Sequence, residues 1–294
     1  MNGAAVRPRT VAMRRWAVVC ALGCAVLGPL PLAGQSVGSV RDTTPAGAPT
    51  ASGAGGAATA YGEAMRALLD RALRTSDTGA FERLINYLDA SLARYPNDPV
   101  LLHYRGFALF REASVLSAVH GTKGSGGAKA KRLFEEADRS LERAATGVPW
   151  PETMALRASV TGQLIAFGNP FTAMRLGPRA SRQLDEALKS GPNNPRVWML
   201  RGVADFYRPR LFGGGLDKSE AHLRRAIELF ASDDPVPPAP SWGRAEVYGW
   251  LGQVLAKQGK REEARAAYEK ALKIEPGNKW VADALLPALE RDAR

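Results

Sequence analysis

The stretch that comes nearest to a recognisable chemical motif is Gly-Thr-Lys-Gly-Ser-Gly-Gly at residues 121–127. Glycine-rich loops cradle phosphates when a strand precedes them and a Gly-Lys-Ser/Thr sequence leads into a helix. No Gly-Lys-Ser/Thr closes this loop, and the residues before it have helical rather than strand character. We therefore do not expect residues 121–127 to bind a nucleotide.

Other residue types that could perform catalysis or hold a metal are sparse. The three histidines, His103, His120 and His222, do not have the spacing of metal ligands. The pairs Glu135–Glu136 and Glu262–Glu263 are sequence neighbours, which point apart on a helix and so cannot act as a paired acid and base. No serine, histidine and aspartate constellation stands out. The sequence predicts a non-enzymatic protein without a metal or cofactor.

The first thirty-four residues have the three parts of a secretory signal peptide. A basic start precedes an uncharged apolar run that begins at Trp16, and the small residues Ala33 and Gly34 end it. Pro29 and Pro31 interrupt the run and argue against a permanent span. We expect cleavage of residues 1–34 and a periplasmic or secreted product without a membrane span. The alternative is a lipid anchor at Cys24, where Ala21–Cys24 forms a poor lipobox.

Both cysteines lie inside this signal, so the mature chain can form neither a disulfide nor a thiolate metal site. The signal also holds four of the 40 basic side chains, which leaves 36 against 29 acidic ones, a net charge of +7. That excess has no long basic run and indicates a solvated surface rather than a nucleic-acid site. Residues 35–60 are rich in Gly, Ala, Ser, Thr and Pro and are predicted to form a flexible linker.

The segment at residues 245–276 carries the clearest pattern in the chain. Its small and large residues stand at the offsets of the tetratricopeptide repeat (TPR), and they are Leu251, Gly252, Leu255, Gly259, Ala264, Tyr268, Ala271 and Pro276. The segment resembles a TPR, a pair of antiparallel helices with small residues where the backbones approach closely. One such pair cannot bury its apolar face alone, so the resemblance implies a stacked solenoid that works by binding.

Four weaker repeats precede it in the same frame. Their second helices share a seven-residue step between small residues, as in Ala137 and Ala144, Ala180 and Ala187, and Ser219 and Ala226. This step puts both residues on one helix face, where a neighbour can approach. We predict an all-α TPR solenoid of about five repeats over residues 61–294, with a capping helix near Lys279–Glu290 that carries Trp280, Leu285, Leu286 and Leu289.

Three interior repeats contain insertions between their two helices. The step from position 8 to position 20 is 12 residues in the last repeat, from Gly252 to Ala264, but 31, 22 and 17 residues in the second, third and fourth. The insertions must all lie at one edge of the solenoid. Because they contain apolar residues such as Leu116, Phe171 and Met174, we expect them to fold over the groove. The alternative is longer helices and slack loops.

Four arginines occupy position 7 of successive repeats, namely Arg71, Arg105, Arg157 and Arg201. They would form either a basic strip for an acidic partner or a row of packed stems paired with carboxylates such as Asp138, Asp185 or Glu220. Position 7 belongs to the packed side of a TPR, so we favour the second interpretation.

The resemblance also implies a concave groove lined by the first helix of each repeat. Its predicted partner-binding residues are His103, Phe107, Phe110, Arg111, Arg196, Met199, Val203, Phe206 and Tyr207. Their aromatic and apolar character suits a peptide, a helix or a small apolar ligand. A groove filled by the insertions themselves remains the competing prediction.

The segment Arg208–Phe230, with its Phe-Gly-Gly turn, is similar to exported bacterial TPR proteins. One of these is the T component associated with TRAP transporters, a periplasmic ligand-binding protein. We predict an exported TPR scaffold that binds a protein or peptide partner in the cell envelope. A ligand-binding component associated with a TRAP-type transporter is the alternative.

Overall fold

The computed structural model describes residues 54–291, with side chains from Gly62 onward. This part of the chain is helical and has no strand. Its helices are α1 (Ala54–Thr75), α2 (Thr78–Leu92), α3 (Pro99–His120), α4 (Gly124–Ala144), α5 (Pro151–Ile165), α6 (Pro170–Ser190), α7 (Pro195–Tyr207), α8 (Leu216–Phe230), α9 (Glu246–Lys257), α10 (Arg261–Ile274) and α11 (Leu286–Arg291). A 3₁₀ turn at Arg210–Phe212 precedes α8, and a π-helical turn at Trp280–Leu285 leads into α11.

Consecutive helices pack as five antiparallel hairpins, from α1/α2 to α9/α10, and each hairpin stacks on the next. The predicted all-α TPR solenoid with a C-terminal cap is thereby confirmed. Glycines allow the closest approaches, because a Cβ on Gly106 would lie 2.6 Å from the Leu141 side chain. A Cβ on Gly252 would lie 2.3 Å from the Tyr268 ring. Of the small residues of the seven-residue step, Ala180 is half-buried and the others are fully buried, namely Ala137, Ala144, Ala187, Ser219 and Ala226.

Capping residues explain where the helices begin. Asp77, Asp98 and Asn194 each accept hydrogen bonds from backbone N–H groups of the first turn of the following helix. Asn169 forms a reciprocal capping box with Thr172. Side-chain caps of this kind satisfy backbone donors that have no partner within the helix. Proline then opens four of the helices, at a position where its missing N–H costs nothing, and these residues are Pro99, Pro151, Pro170 and Pro195.

The insertions do not fold over the groove, which corrects the prediction. The first lengthens both helices of its hairpin, to 22 residues in α3 and 21 in α4, and the second lengthens α6 to 21. The third forms the turn at Arg210–Phe212. Phe171 and Met174 are 78% and 64% exposed, so they cover no part of the groove. Helical continuation gives each backbone group a partner at once, whereas an irregular cover would not.

At the N-terminus, α1 begins at Ala54, within the segment predicted as a linker over residues 35–60. Its first residues are rich in alanine, the strongest helix former. The predicted signal peptide and the rest of the linker lie outside the described residues. At the other end, Leu285 and Leu289 are buried against the last repeat. Among the helices of residues 54–291, none has both the length and the apolar character needed to cross a membrane.

Candidate functional site: the concave face

The concave face is lined by the first helix of each hairpin, and a loop between two repeats lies against it. This loop, residues 231–245, connects α8 to α9 and is called the groove segment here. The Tyr104 hydroxyl donates a hydrogen bond to the Pro238 carbonyl at 2.7 Å. The Phe107 ring stacks on Trp242 with 4.8 Å between centroids and 18° between planes. The groove segment therefore covers the concave side of α3.

A buried ion pair fastens the groove segment to α7. The Arg196 guanidinium donates two hydrogen bonds to the Asp233 carboxylate, at 3.0 and 2.7 Å. Glu152 lies 3.8 Å from the same guanidinium, and the Phe230 ring lies 5.5 Å from it. Arg196 is only 1% exposed. A buried guanidinium is tolerable because this bidentate partner compensates for its lost hydration.

The end of the groove segment requires a glycine. Gly243 has φ +105°, in the region that residues with a Cβ rarely adopt. A Cβ there would also lie 3.0 Å from the Phe230 ring and 3.4 Å from the Met199 side chain. The close approach lets the chain turn from Trp242 into α9 while Met199 stays fully buried.

Burial changes the interpretation of most predicted groove residues. His103, Phe107, Phe110, Arg196, Met199 and Phe206 are buried, and Arg111, Val203 and Tyr207 are half-buried. His103, Phe107 and Phe110 of α3, with Arg196 and Met199, are therefore core in this structure and do not form an open groove. Their positions in the TPR frame did not predict this burial, because the frame contains no information about the loop between repeats. Whether Arg111, Val203, Phe206 and Tyr207 bind a partner stays a prediction.

His103 is part of this core. Its Nδ1 lies 2.8 Å from the Thr153 hydroxyl, and its ring contacts Tyr104 and Trp150 edge-on at 5.1 and 5.0 Å. Its Nε2 is buried and has no partner among the described residues. Burial disfavours the charged form and lowers the pKa of His103 to about 3. The ring is therefore neutral at physiological pH and packs as an aromatic residue.

The concave face stays partly open at its C-terminal end. There four rings form the aromatic cluster, defined as Phe206, Tyr207, Trp250 and Trp280. Neighbouring centroids are 5.0 to 6.0 Å apart. Phe206 is buried and Tyr207, Trp250 and Trp280 are half-buried, and the Lys257 ammonium lies 4.5 Å from the centre of the Phe206 ring. The cluster is a partly accessible aromatic surface with an adjacent cation.

Sequence reasoning assigned Phe206 and Tyr207 to the groove but did not place Trp250 and Trp280 beside them. The missed signal is Gly249, which stands at position 5 of the last repeat, where the resemblance implies a concave-facing side chain. A Cβ on Gly249 would lie 2.5 Å from the Trp280 ring. The glycine therefore makes room for an indole from the capping segment.

Three of the four position-7 arginines, on α3, α5 and α7, are packed and paired, as favoured from the sequence, whereas Arg71 on α1 is exposed. The Arg157 Nε lies 2.8 Å from Asp138, and Arg201 pairs with Asp185. Arg105 binds Asp89 and Glu136, which the sequence did not suggest. Apart from the pair with Glu136, which lies within one hairpin, these pairs join neighbouring hairpins, so the three arginines do not present a free basic strip.

Comparison with known proteins agrees with this architecture. Residues 245–278 match the family model described as a tetratricopeptide repeat. No curated protein matches the chain in sequence. The HusA haemophore from Porphyromonas gingivalis is similar in structure, with a TM-score of 0.57 and 25% identity over 70% of this chain and 96% of HusA.

A second similar structure is TTC0263, a TPR protein from Thermus thermophilus. It has a TM-score of 0.49 and 19% identity, over 76% of this chain and 99% of that protein. Neither comparison bears on the TRAP resemblance, which stays a prediction. The matched repeat and the hairpin architecture together support a TPR protein.

Proposed function

We propose that this protein is an exported, non-enzymatic TPR scaffold that binds a protein or peptide partner in the cell envelope through its aromatic cluster. The observation that carries the proposal is the contrast in exposure along the concave face. The groove segment covers α3 and the start of α7, where Phe107 and Met199 are buried, whereas Tyr207, Trp250 and Trp280 are only half-buried. Large aromatic side chains at such positions dominate the energy of many protein interfaces.

The aromatic cluster suits a partner segment with an apolar side chain and a nearby carboxylate. Ring-to-ring contacts hold the cluster in place before binding, so little side-chain entropy remains to be lost. Lys257 would attract an acidic group, and burial lowers its pKa through desolvation. A partner carboxylate would restore the solvation that the ammonium lacks and strengthen the contact.

Paired indole substitutions test the site. Trp250→Ala should reduce capture of the partner from envelope extract at least thirtyfold, since an aromatic anchor contributes roughly 2 kcal/mol or more. Trp198→Ala is the matched control, because its indole bonds to the Pro192 carbonyl and contacts His222 outside the cluster. Equal loss in both folded variants, or no loss in either, would contradict a partner site at the cluster.

The exported location is the second part of the proposal and rests on the basic start and apolar run of residues 1–34. Protein purified from the envelope should have an N-terminus within a few residues of Gln35. A lipidated N-terminus at Cys24 would replace this with an anchored form. A full-length chain in the cytoplasm would contradict export altogether.

A porphyrin is a second candidate ligand for the same cluster, because HusA is described as a haemophore and its whole fold resembles this one. His103 and His222 bond to Thr153 and Asp205, so stacking on the indoles and attraction to Lys257 would carry the binding. Titration with haemin and with iron-free protoporphyrin should then give similar affinities, both lost in Trp250→Ala. No absorbance change with either compound would exclude this candidate.

A further inference from the structure

One edge of the solenoid carries exposed apolar side chains at three successive turns. This turn edge comprises residues 119–123, 170–175 and 208–218, where α3, α5 and α7 end. Because the first helices of stacked hairpins run parallel, their C-terminal ends lie on the same side of the molecule. The exposed side chains are Val119, 61%; Phe171, 78%; Met174, 64%; Leu211, 82%; and Phe212, 57%.

The ion pair between Arg201 and Asp185 gives a common reference point from which the positions of two of these turns along the helix axes can be compared. From this pair α7 runs six residues, about 9 Å, to its end, and residues 208–211 continue past it. From Asp185 the chain of α6 runs fourteen residues, about 21 Å, back to Phe171. Both paths lead to the same edge, so Leu211 and Phe171 project on one side. Phe171 and Met174 share a helix face at i and i+3.

The charge at this edge is strongly one-sided. The three stretches of the turn edge hold five Lys or Arg and one acidic residue, Asp217; the cations are Lys123, Arg175, Arg208, Arg210 and Lys218. Over the whole chain the ratio is 40 to 29. This concentration of basic residues is not evident from the sequence, because the three stretches are far apart along the chain and none contains a run of consecutive basic residues. The hairpin stacking brings them together.

Two of these cations remain available to a ligand. Arg210 pairs with Asp217, Arg208 lies 3.6 Å from Asp205, and the Lys218 ammonium donates a hydrogen bond to the Gly213 carbonyl. Lys123 and Arg175 are exposed, and neither forms an ion pair within residues 62–291. They stand immediately beside the exposed apolar residues, Lys123 after Val119 and Arg175 after Met174.

We propose that the turn edge docks on an anionic membrane surface. Phe171, Met174 and Leu211 enter the interface while Lys123 and Arg175 bind lipid phosphates, the arrangement that favours peripheral attachment. The apolar residues project from separate turns, which suits a deformable surface better than the continuous groove a peptide needs. Two cavities within the described residues lie elsewhere, one beside Arg105 and Arg139 and one beside Tyr104 and Pro238.

Vesicle flotation tests the proposal with protein that has the same N-terminus in every variant. The protein should float with vesicles containing phosphatidylglycerol and not with pure phosphatidylcholine vesicles, and salt should release most but not all of it. Lys123→Gln with Arg175→Gln should lower the partition coefficient roughly twenty-fivefold, at about fivefold per cation. Phe171→Ser with Leu211→Ser should abolish the binding that resists salt.

The matched control is Val236→Ser with Tyr95→Ser, which removes two exposed apolar side chains away from the turn edge. This control should float like the unchanged protein. Equal flotation with both vesicle types, or turn-edge variants that stay folded and float normally, would overturn the proposal. So would a protein partner that needs Phe171 and Arg175 while no vesicle binds. Failure here leaves the aromatic cluster untouched, because the two tests use different residues.

Discussion

The two ends of the concave face differ in how deeply equivalent positions of the repeat frame are buried. On α3, Tyr104 at position 6 is buried and donates a hydrogen bond to Pro238 of the groove segment. On α9, Trp250 at the same position is only half-buried beside Tyr207 and Trp280. The difference arises from the groove segment, which crosses the earlier repeats and stops at Glu246, where α9 begins. A TPR position is therefore accessible to a partner only where no connecting loop covers it.

The largest loss of folding stability is expected when the buried ion pair at the covered end of the concave face is removed. Asp233→Ala leaves the Arg196 guanidinium buried with only Glu152 at 3.8 Å, and should destabilise the fold by about 3–5 kcal/mol. The control is Asp217→Ala, because its pair with Arg210 is exposed and contributes about 0–1 kcal/mol. Chemical denaturation measures both. Similar losses in the two variants would show that the groove segment is not held by a buried pair.

A smaller loss of stability per pH unit is expected from His103 at acidic pH. Its folded pKa is about 3 and its unfolded pKa about 6.5, so between these values the unfolded chain binds the extra proton. Stability should fall as the pH falls, by up to about 1.4 kcal/mol per unit from this residue alone. His103→Gln should flatten the dependence of unfolding free energy on pH below 6.5. His120→Gln, at an exposed site, should leave it unchanged.

The smallest effect is expected at the less covered end of the concave face, where Lys257 lies beside the aromatic cluster. Lys257→Gln removes the cation beside the Phe206 ring and should cost about 0.5–1 kcal/mol of stability, as partly exposed cation–π contacts do. Partner binding should weaken more than stability if the partner supplies a carboxylate. Lys273→Gln, on the exposed side of α10, is the control and should change neither quantity. Calorimetric melts and a binding titration on the same samples provide the measurement.

The fold was predictable because its signals are local. The glycines and alanines at fixed offsets mark where helices touch, and Gly106, Gly202 and Gly252 each approach a large side chain of the next helix. Which parts of the concave face are covered could not be predicted in this way. The contact between Phe107 and Trp242 joins residues 135 positions apart, and no periodicity encodes it. The clustering of cations at the turn edge likewise depends on stacking.

The insertions show a second limit of prediction from the sequence. Their apolar residues suggested a cover for the groove, but Phe171 and Met174 point away from it while Leu176 is buried. A sequence shows that an apolar residue needs a neighbour, yet it does not say whether that neighbour is a helix of the same hairpin or a partner. Exposure in the folded chain separates these cases.

The concave face divides into a covered core and a less covered end that we propose as the binding site, and a matched pair of substitutions tests this division most directly. Phe107→Ala should lower the unfolding free energy by about 3–5 kcal/mol and leave partner affinity of the folded protein unchanged. Trp250→Ala should do the reverse, with a stability loss of about 1 kcal/mol and a binding loss of roughly 2 kcal/mol or more. Thermal melts and a binding titration of both variants would contradict the division if Phe107→Ala stayed stable and lost binding, or if Trp250→Ala bound normally.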